Sequence, residues 1–467
     1  MTTSAPTAAG LDLGPLRAGF TGEILTAADG AAYDAARTAF NAMFDRRPAV
    51  IARAESNADV AHAITFARAK GLPLAVRGGG HSVAGYSTIE GGLLLDLGPM
   101  KAIDIDAEGR LVRVQPGVVW GELDAATQAH GLATTGGRMT TTGVAGFVLG
   151  SGSGWLERLH GLACDNLVAA EVVTAAGETV VVDESENAEL LWGLRGGGGN
   201  FGVVTEFTLR LHPVGPEVYA GMLMYPRVQA PEVVRHVRDF LRDAPREVTG
   251  GVIFMHAPPA PFVPPELRGA PVVSVIAGHW GSVEDGATSL ASLKEYGEPR
   301  VDLMGPTTYM DFQMITDAGN PPGRRNYWRS DLLPDAPDEA IDALIACAAR
   351  AVSPTSVVVL GRTGGAVGDV AEDATALSGR SAEWLFHCYA SWTDADDTPN
   401  IAWARASEEA LGPWSMAGMA LNFVSDIDNS RVRGTFGAEK YDRLVRLKRC
   451  WDPENVFAMN QNIPPEG

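Results

Sequence analysis

The stretch AVRGGGHSVAGYS, residues 75–87, puts three glycines and a histidine directly after a short apolar run. Upstream, PAVIARA (48–54) reads as a strand. Ser56, with Asp59 three residues on, makes a capping-box-like helix start, and Val60, Ala63, Ile64 and Ala67 recur at helical spacing. Gly71 supplies a helix stop, LPLAV (72–76) a second strand and GLLLDL (92–97) a third. The glycine run therefore lies at a strand end within a compact β-α-β unit.

Two further glycine-dense stretches follow, TTTGVAGFVLGSGSGWLERLHG (140–161) and RGGGGNFGVV (195–204). Residues without a Cβ let backbone amides approach a ligand closely and form concave turns that bind phosphate oxygens. Three such stretches in one chain point to a diphosphate cradle. It is not of the Rossmann kind, because GGGHSVAGYSTIEGG runs from one strand towards another without helical periodicity. On residue chemistry alone His81 is either a turn or packing residue or a functional one.

From about residue 103 the pattern changes to short strands: RLVRVQPG, then LVAAEVVTAAGETVVVD with a turn at Ala176 and Gly177, then GVVTEFTLRLHP. The middle, roughly 216–415, mixes proline clusters such as HAPPAPFVPPE with Trp280, Tyr309, Phe312, Tyr327 and Trp328, which suggests a sheet with an aromatic-lined cavity. In the tail, Tyr441, Leu444, Val445 and Lys448 share a helical face, and WDPEN ends that helix. The whole reads as an α+β chain.

At 467 residues the chain suits two or three domains. A formal charge of −20 argues against nucleic acid or anionic lipid as partners, so a small molecule is expected. Cys164, Cys347, Cys388 and Cys450 lack metal-ligand spacing; no metal site is expected, and buried free thiols are. MTTSAPTAAGLDLGPLRAGF has neither the charged nor the apolar region of a signal peptide, and no apolar run is long enough to cross a membrane, so the expected location is the cytoplasm.

Four elements in order, AVRGGGHSVAGYS, GVAGFVLGSGSGWLERLHGLACDN, ELLWGLRGGGGNFGVVTEF and YDRLVRLKRCWDPENVFAMNQNIPP, resemble the FAD-linked oxidases similar to berberine bridge enzyme, within the larger group of vanillyl alcohol oxidase and p-cresol methylhydroxylase. The resemblance covers nearly the whole chain. It implies a two-part FAD-binding domain of the p-cresol methylhydroxylase type, residues 1–215 and 416–467, around a substrate domain, 216–415, whose antiparallel sheet is covered by helices.

By the same resemblance, the ring of His81 is bonded to the 8α-methyl of FAD, and Met139 stands where some relatives carry a second, cysteine tether, so a single link is expected. The flavin would be held by Arg77, Gly78, Gly79, Gly80, Ser82, Tyr86, Ser87, Thr141, Gly143, Gly146, Gly150, Gly152, Trp155, Gly202, Val203, Val204, Asn422, Asn460 and Asn462. Thr142, just before Gly143, would lie near the reactive edge of the flavin and favour access of oxygen. A tether makes the isoalloxazine a better hydride acceptor and keeps it in an open cleft.

Both bases usual in such enzymes are missing: Ala420 replaces a tyrosine in MALNF, and SVVVLGRTGG has no carboxylate before Gly364. His256, Tyr327 and Tyr389 are the candidate substitutes, or else pocket lining. Arg362 either pairs with an anionic substrate group or makes a structural ion pair. Without a base, hydride loss from carbon beside a neutral amine nitrogen remains accessible. The implied activity is oxidation of a small organic or natural-product substrate, with dioxygen reduced to hydrogen peroxide. The alternatives are a dehydrogenase using another acceptor, or a lapsed flavin scaffold that binds a ligand.

Overall fold

The computed structural model describes residues 11–416, 418, 421–426 and 429–466. Helix Asn57–Lys70 opens where expected, with the Asp59 amide donating to Ser56 Oγ at 3.2 Å. The capping box is only half formed, because the Asp59 carboxylate accepts from Thr21 and the Glu55 amide instead. Gly71, at φ +63°, closes the helix in the left-handed conformation that glycine tolerates best. Val60, Ala63, Ile64 and Ala67 are fully buried.

That helix links strands Val50–Arg53 and Leu74–Arg77, which flank Leu93–Asp96 in parallel; Glu23–Leu25 joins the outer edge antiparallel. Leu93, Leu94 and Leu95 are fully buried, as a parallel strand covered on both faces requires. The loop carrying Gly78–His81 leaves the carboxyl end of Leu74–Arg77.

A second sheet of five antiparallel strands runs in the order Ile103–Asp106, Leu111–Val114, Val203–Arg210, Leu167–Val173, Thr179–Val182. Helix Ala438–Trp451 packs against its core and buries Tyr441, Leu444, Val445 and Lys448. The Lys448 ammonium sits at 2.7 Å from Asp452 and donates to the carbonyls of Asn200 (2.8 Å) and Phe457 (3.0 Å). A buried charge persists when it is paired and its protons are satisfied, and both conditions hold here.

The largest sheet has eight strands. Its order is Val301–Asp302, Glu217–Pro226, Pro271–His279, Val248–His256, Val357–Arg362, Trp384–Trp392, Arg325–Leu333, with Gly305–Thr308 also paired to Glu217–Pro226. Side chains alternate between its faces. Phe386, Cys388 and Ala390 join a core beneath helices Ala230–Asp243, Asp338–Ala349 and Thr398–Leu411, while Leu385, His387 and Tyr389 face the other way, into a cavity. Cys164, Cys347 and Cys388 are buried thiols; Cys450 corrects the expectation, lying exposed on the tail helix. Among the described residues no helix is long and apolar enough to cross a membrane.

Candidate functional site

A cavity of about 410 Å³ separates the cavity face of the large sheet from the three glycine stretches, which converge on it from residues distant in sequence. Gly79 and Gly143 are packed backbone to backbone: a Cβ on Gly79 would sit 2.5 Å from Gly143 N. At Gly80, φ +74° turns the chain so that His81 reaches the cavity. Asn422 fastens the second stretch, donating to the Gly146 carbonyl at 3.0 Å while its Oδ1 lies 3.1 Å from Ser151 Oγ. Asn460 donates to the Gly199 carbonyl of the third stretch at 3.1 Å, and its own Oδ1 is buried with no partner among the described residues.

The His81 ring stacks on Phe40, with centroids 4.1 Å apart and planes 18° apart. Its Nε2 lies 2.8 Å from Thr141 Oγ1; among the described residues Nδ1 has no hydrogen-bond partner. Burial lowers the imidazole pKa to about 4, so the ring is neutral at pH 7 with a lone pair to offer.

Of the residues expected to hold the flavin, Arg77, Gly78, Gly79, Gly80, His81, Ser82, Tyr86 and Ser87 line the cavity. So do Gly143, Gly146, Gly150, Trp155, Gly202, Val203, Val204, Asn422 and Asn460. Three do not: Thr141 stands behind His81, Gly152 packs on Ala163 and Phe147, and the Asn462 Oδ1 is buried outside the cavity wall. The Arg77 guanidinium is held from behind by Asp96 at 2.9 Å.

The catalytic candidates divide. Thr142 and Tyr389 line the cavity. His256 does not: it ends strand Val248–His256, opposite Pro271, outside the wall. Tyr327 is also misplaced, because strand alternation turns its hydroxyl to Asp426 and to the guanidinium groups of Arg329 and Arg405 on the helix side. Arg362 touches the cavity, but its guanidinium is committed to Glu383 and to the Leu241 carbonyl, so of the two roles open to it the structural ion pair is the one formed. Ala420 lies outside the described residues. Trp280, Tyr309 and Phe312 form a separate core with Trp155 and do not line the cavity; Trp328 does.

The reading from sequence missed His387, Arg138, Glu157 and Phe423, all on the cavity wall. Strand alternation about Tyr389 would have found His387. Burial, reinforced by the Arg138 charge, lowers its pKa to about 3. Glu157 is the one carboxylate among the described wall residues; it lies 3.6 Å from the Arg138 guanidinium, and burial raises its pKa.

These residues fit FAD. Among the described residues, a Cβ on Gly146 or Gly199 would meet no atom beyond its own local backbone within 4 Å, so both leave open a cradle floored by backbone, and the Trp155 Nε1 and Asn460 Oδ1 on its wall are buried polar atoms without partners. A family model described as FAD binding domain matches residues 48–183, and one described as berberine and berberine like matches 419–464. The chain is 32% identical to (R)-6-hydroxynicotine oxidase of Paenarthrobacter nicotinovorans, covering 94% of this chain and 96% of that one. The crystal structure of 6-hydroxy-D-nicotine oxidase from Arthrobacter nicotinovorans superposes with a TM-score of 0.83 at 28% identity, over 97% and 99% of the two chains. A berberine bridge enzyme-like protein of Physcomitrella patens, at 21% identity over 97% of this chain and 98% of its own, shares the fold with a TM-score of 0.85.

The chain belongs to the berberine bridge enzyme-like FAD-linked oxidoreductases. It is an FAD-dependent oxidoreductase with the α+β fold of the vanillyl alcohol oxidase and p-cresol methylhydroxylase group.

Proposed function

We propose that this protein is an oxidase whose FAD is bonded to the His81 ring and which takes hydride from a small organic substrate, dioxygen being the final acceptor and hydrogen peroxide the product. FAD, when bound, supplies the two-electron acceptor. The reading rests chiefly on His81. Its ring is neutral, Thr141 engages Nε2, Phe40 holds the ring plane, and the unengaged nitrogen belongs to a residue of the cavity wall. Met139 can supply no second tether, and it too lines the cavity.

The wall favours an amine as the hydride donor. Its one described carboxylate, Glu157, is paired with Arg138, and burial keeps the Tyr389 phenol protonated by raising its pKa well above the usual value. His387 is uncharged and serves as an acceptor or donor of a hydrogen bond rather than as a strong base. Carbon beside a neutral amine nitrogen gives up hydride without prior deprotonation, whereas an alcohol needs a base. The relative named for (R)-6-hydroxynicotine supports the same class. Thr142 at the wall leaves more room for dioxygen than a leucine would.

The test is the intact mass of the denatured protein beside that of His81→Ala. A gain of one FAD, lost in the variant, is expected; a bare polypeptide mass from protein expressed with FAD available refutes the tether. Peroxide yield compared with dye reduction then distinguishes an oxidase from a dehydrogenase.

A further inference from the structure

Both groups that hold the His81 ring are themselves held by one segment, which runs from helix Tyr309–Gln313 to strand Arg325–Leu333 of the large sheet. On one flank Asp317 takes two hydrogen bonds from a single residue: the Thr140 amide donates at 3.0 Å and the Thr140 hydroxyl at 2.5 Å. Thr140 is the chain neighbour of Thr141, the partner of His81 Nε2. Thr316 donates to the Arg138 carbonyl, and Gln313 donates to the buried Asp124 carboxyl group at 2.8 Å. Thr141 is presented by a turn in which the Thr142 amide donates to the Met139 carbonyl at 3.1 Å, and the segment fastens that turn from outside.

On the other flank the same segment fastens Phe40, whose ring stacks on His81. The Gly323 amide donates to the Phe40 carbonyl at 3.2 Å, and the Ala42 amide to the Arg324 carbonyl at 2.9 Å. Asn41, fully buried, donates to the carbonyls of Val83 and Asn326 at 2.9 and 2.8 Å and accepts from the Asn326 amide at 2.9 Å. Phe40 and Thr141 are far apart in sequence, so tertiary structure sets their spacing across the imidazole, and residues 313–326 bridge them. Hydrogen bonds to a carboxylate are stronger than neutral ones, and Asp317 takes two from the residue beside Thr141.

We propose that residues 313–326 form a strap that sets the spacing of Thr141 and Phe40 across the His81 ring, and that Asp317, which lies outside the cavity wall, is the positioning residue on which the rate of flavin attachment depends. The inference rests on the tether proposed above for the reaction, and on Asp317 and Thr140 for its geometry. Attachment exchanges one imidazole N–H and one C–H of the 8α-methyl for a carbon–nitrogen bond; the two electrons pass through the flavin to dioxygen, which leaves with both protons as hydrogen peroxide. With the bond at the unengaged nitrogen, Nε2 changes from donor to acceptor. The Thr141 hydroxyl serves both states, because it donates and accepts. Reaction between two held groups depends steeply on their orientation, and a loosened turn lets the ring rotate without emptying the cavity. Because the strap is continuous with strand Arg325–Leu333, attachment waits for the large sheet to dock.

The experiment uses the full chain, purified from riboflavin-limited cells and mixed with excess FAD. Samples denatured at intervals are read by intact mass for the covalent adduct, and total bound flavin is read by absorbance after native desalting. Asp317→Ala is expected to gain the adduct about tenfold more slowly than the native chain, with bound flavin and melting temperature close to native. Asp317→Asn keeps an acceptor for the Thr140 amide and should recover most of the rate. Thr140→Val removes only the hydroxyl donor and should slow attachment about threefold, which keeps the test decisive where Asp317→Ala folds poorly. Native rates in Asp317→Ala and Thr140→Val, or a slowing that merely follows a fall in bound flavin, overturn the proposal. No adduct in the native chain refutes the tether and this inference with it; an adduct that forms equally fast in every variant refutes the strap alone.

Discussion

Replacing Gly79 by alanine tests whether the cradle depends on two backbones in contact. The new Cβ would lie 2.5 Å from Gly143 N, where ordinary contact begins near 3.4 Å, so the two loops must part by about 0.9 Å. Overpacking costs about 1–3 kcal/mol, and the upper end applies because the obstructing atoms are backbone that cannot rotate aside. If that strain falls on the cofactor-binding conformation, about 3 kcal/mol weakens FAD binding by roughly a hundredfold. The assay is flavin content per polypeptide after purification, with the melting temperature of each preparation. Gly434→Ala is the comparator: it lies in helix Asn429–Phe436, a Cβ there meets nothing within 4 Å, and a gain of about 0.5–1 kcal/mol is expected. Gly79→Ala purifying with native flavin content and native melting temperature would refute the reasoning.

Lys448→Met leaves the Asp452 carboxylate buried without its cation and is expected to cost about 3–5 kcal/mol, read from the denaturant midpoint; an unchanged midpoint contradicts the pairing. His160, His212 and His387 are held by burial at about 4, 3 and 3, below the ordinary value. The unfolded chain therefore binds protons that the native one refuses, so stability falls as pH drops from about 6.5 towards 4 and levels off below the folded values. Urea midpoints at pH 7.5, 6 and 5 should decline in that order, and a flat series counts against these histidines being buried neutral. Arg362→Leu should lower the melting temperature by breaking the pair with Glu383 while leaving flavin content native; a selective loss of flavin with an unchanged melting temperature would restore Arg362 as a ligand-binding group.

Local pattern carried much of the fold. The Ser56 start, the Gly71 stop and the buried face of Tyr441, Leu444, Val445 and Lys448 all follow from spacing, because each depends on a few residues close in sequence. The glycine stretches were legible as separate loops, but their convergence was not, since Gly79 and Gly143 meet only through tertiary packing. His256 and Tyr327 illustrate the harder problem. Strand propensity identifies a strand without saying which face looks into the cavity, and a shift of one residue reverses the answer. Tyr327 and Trp328 are neighbours in sequence, yet one reaches the Asp426 network and the other the cavity. Arg362 was open to two roles because its partner Glu383 is distant in sequence, on the approach to the next strand of the sheet.

Lys448 and its helix also impose an order in time. The third glycine stretch, through the carbonyl of Asn200, depends on a cation that leaves the ribosome 248 residues later. At translation rates of about 5–20 residues per second that interval is roughly 12–50 s. During it, the surface around Phe201 that the tail helix will cover is without its lid, and every strand of the large sheet, from Glu217 to Trp392, is synthesised before that lid arrives. A nascent chain stalled before residue 438 should therefore hold a folded sheet with no stable grip on a flavin.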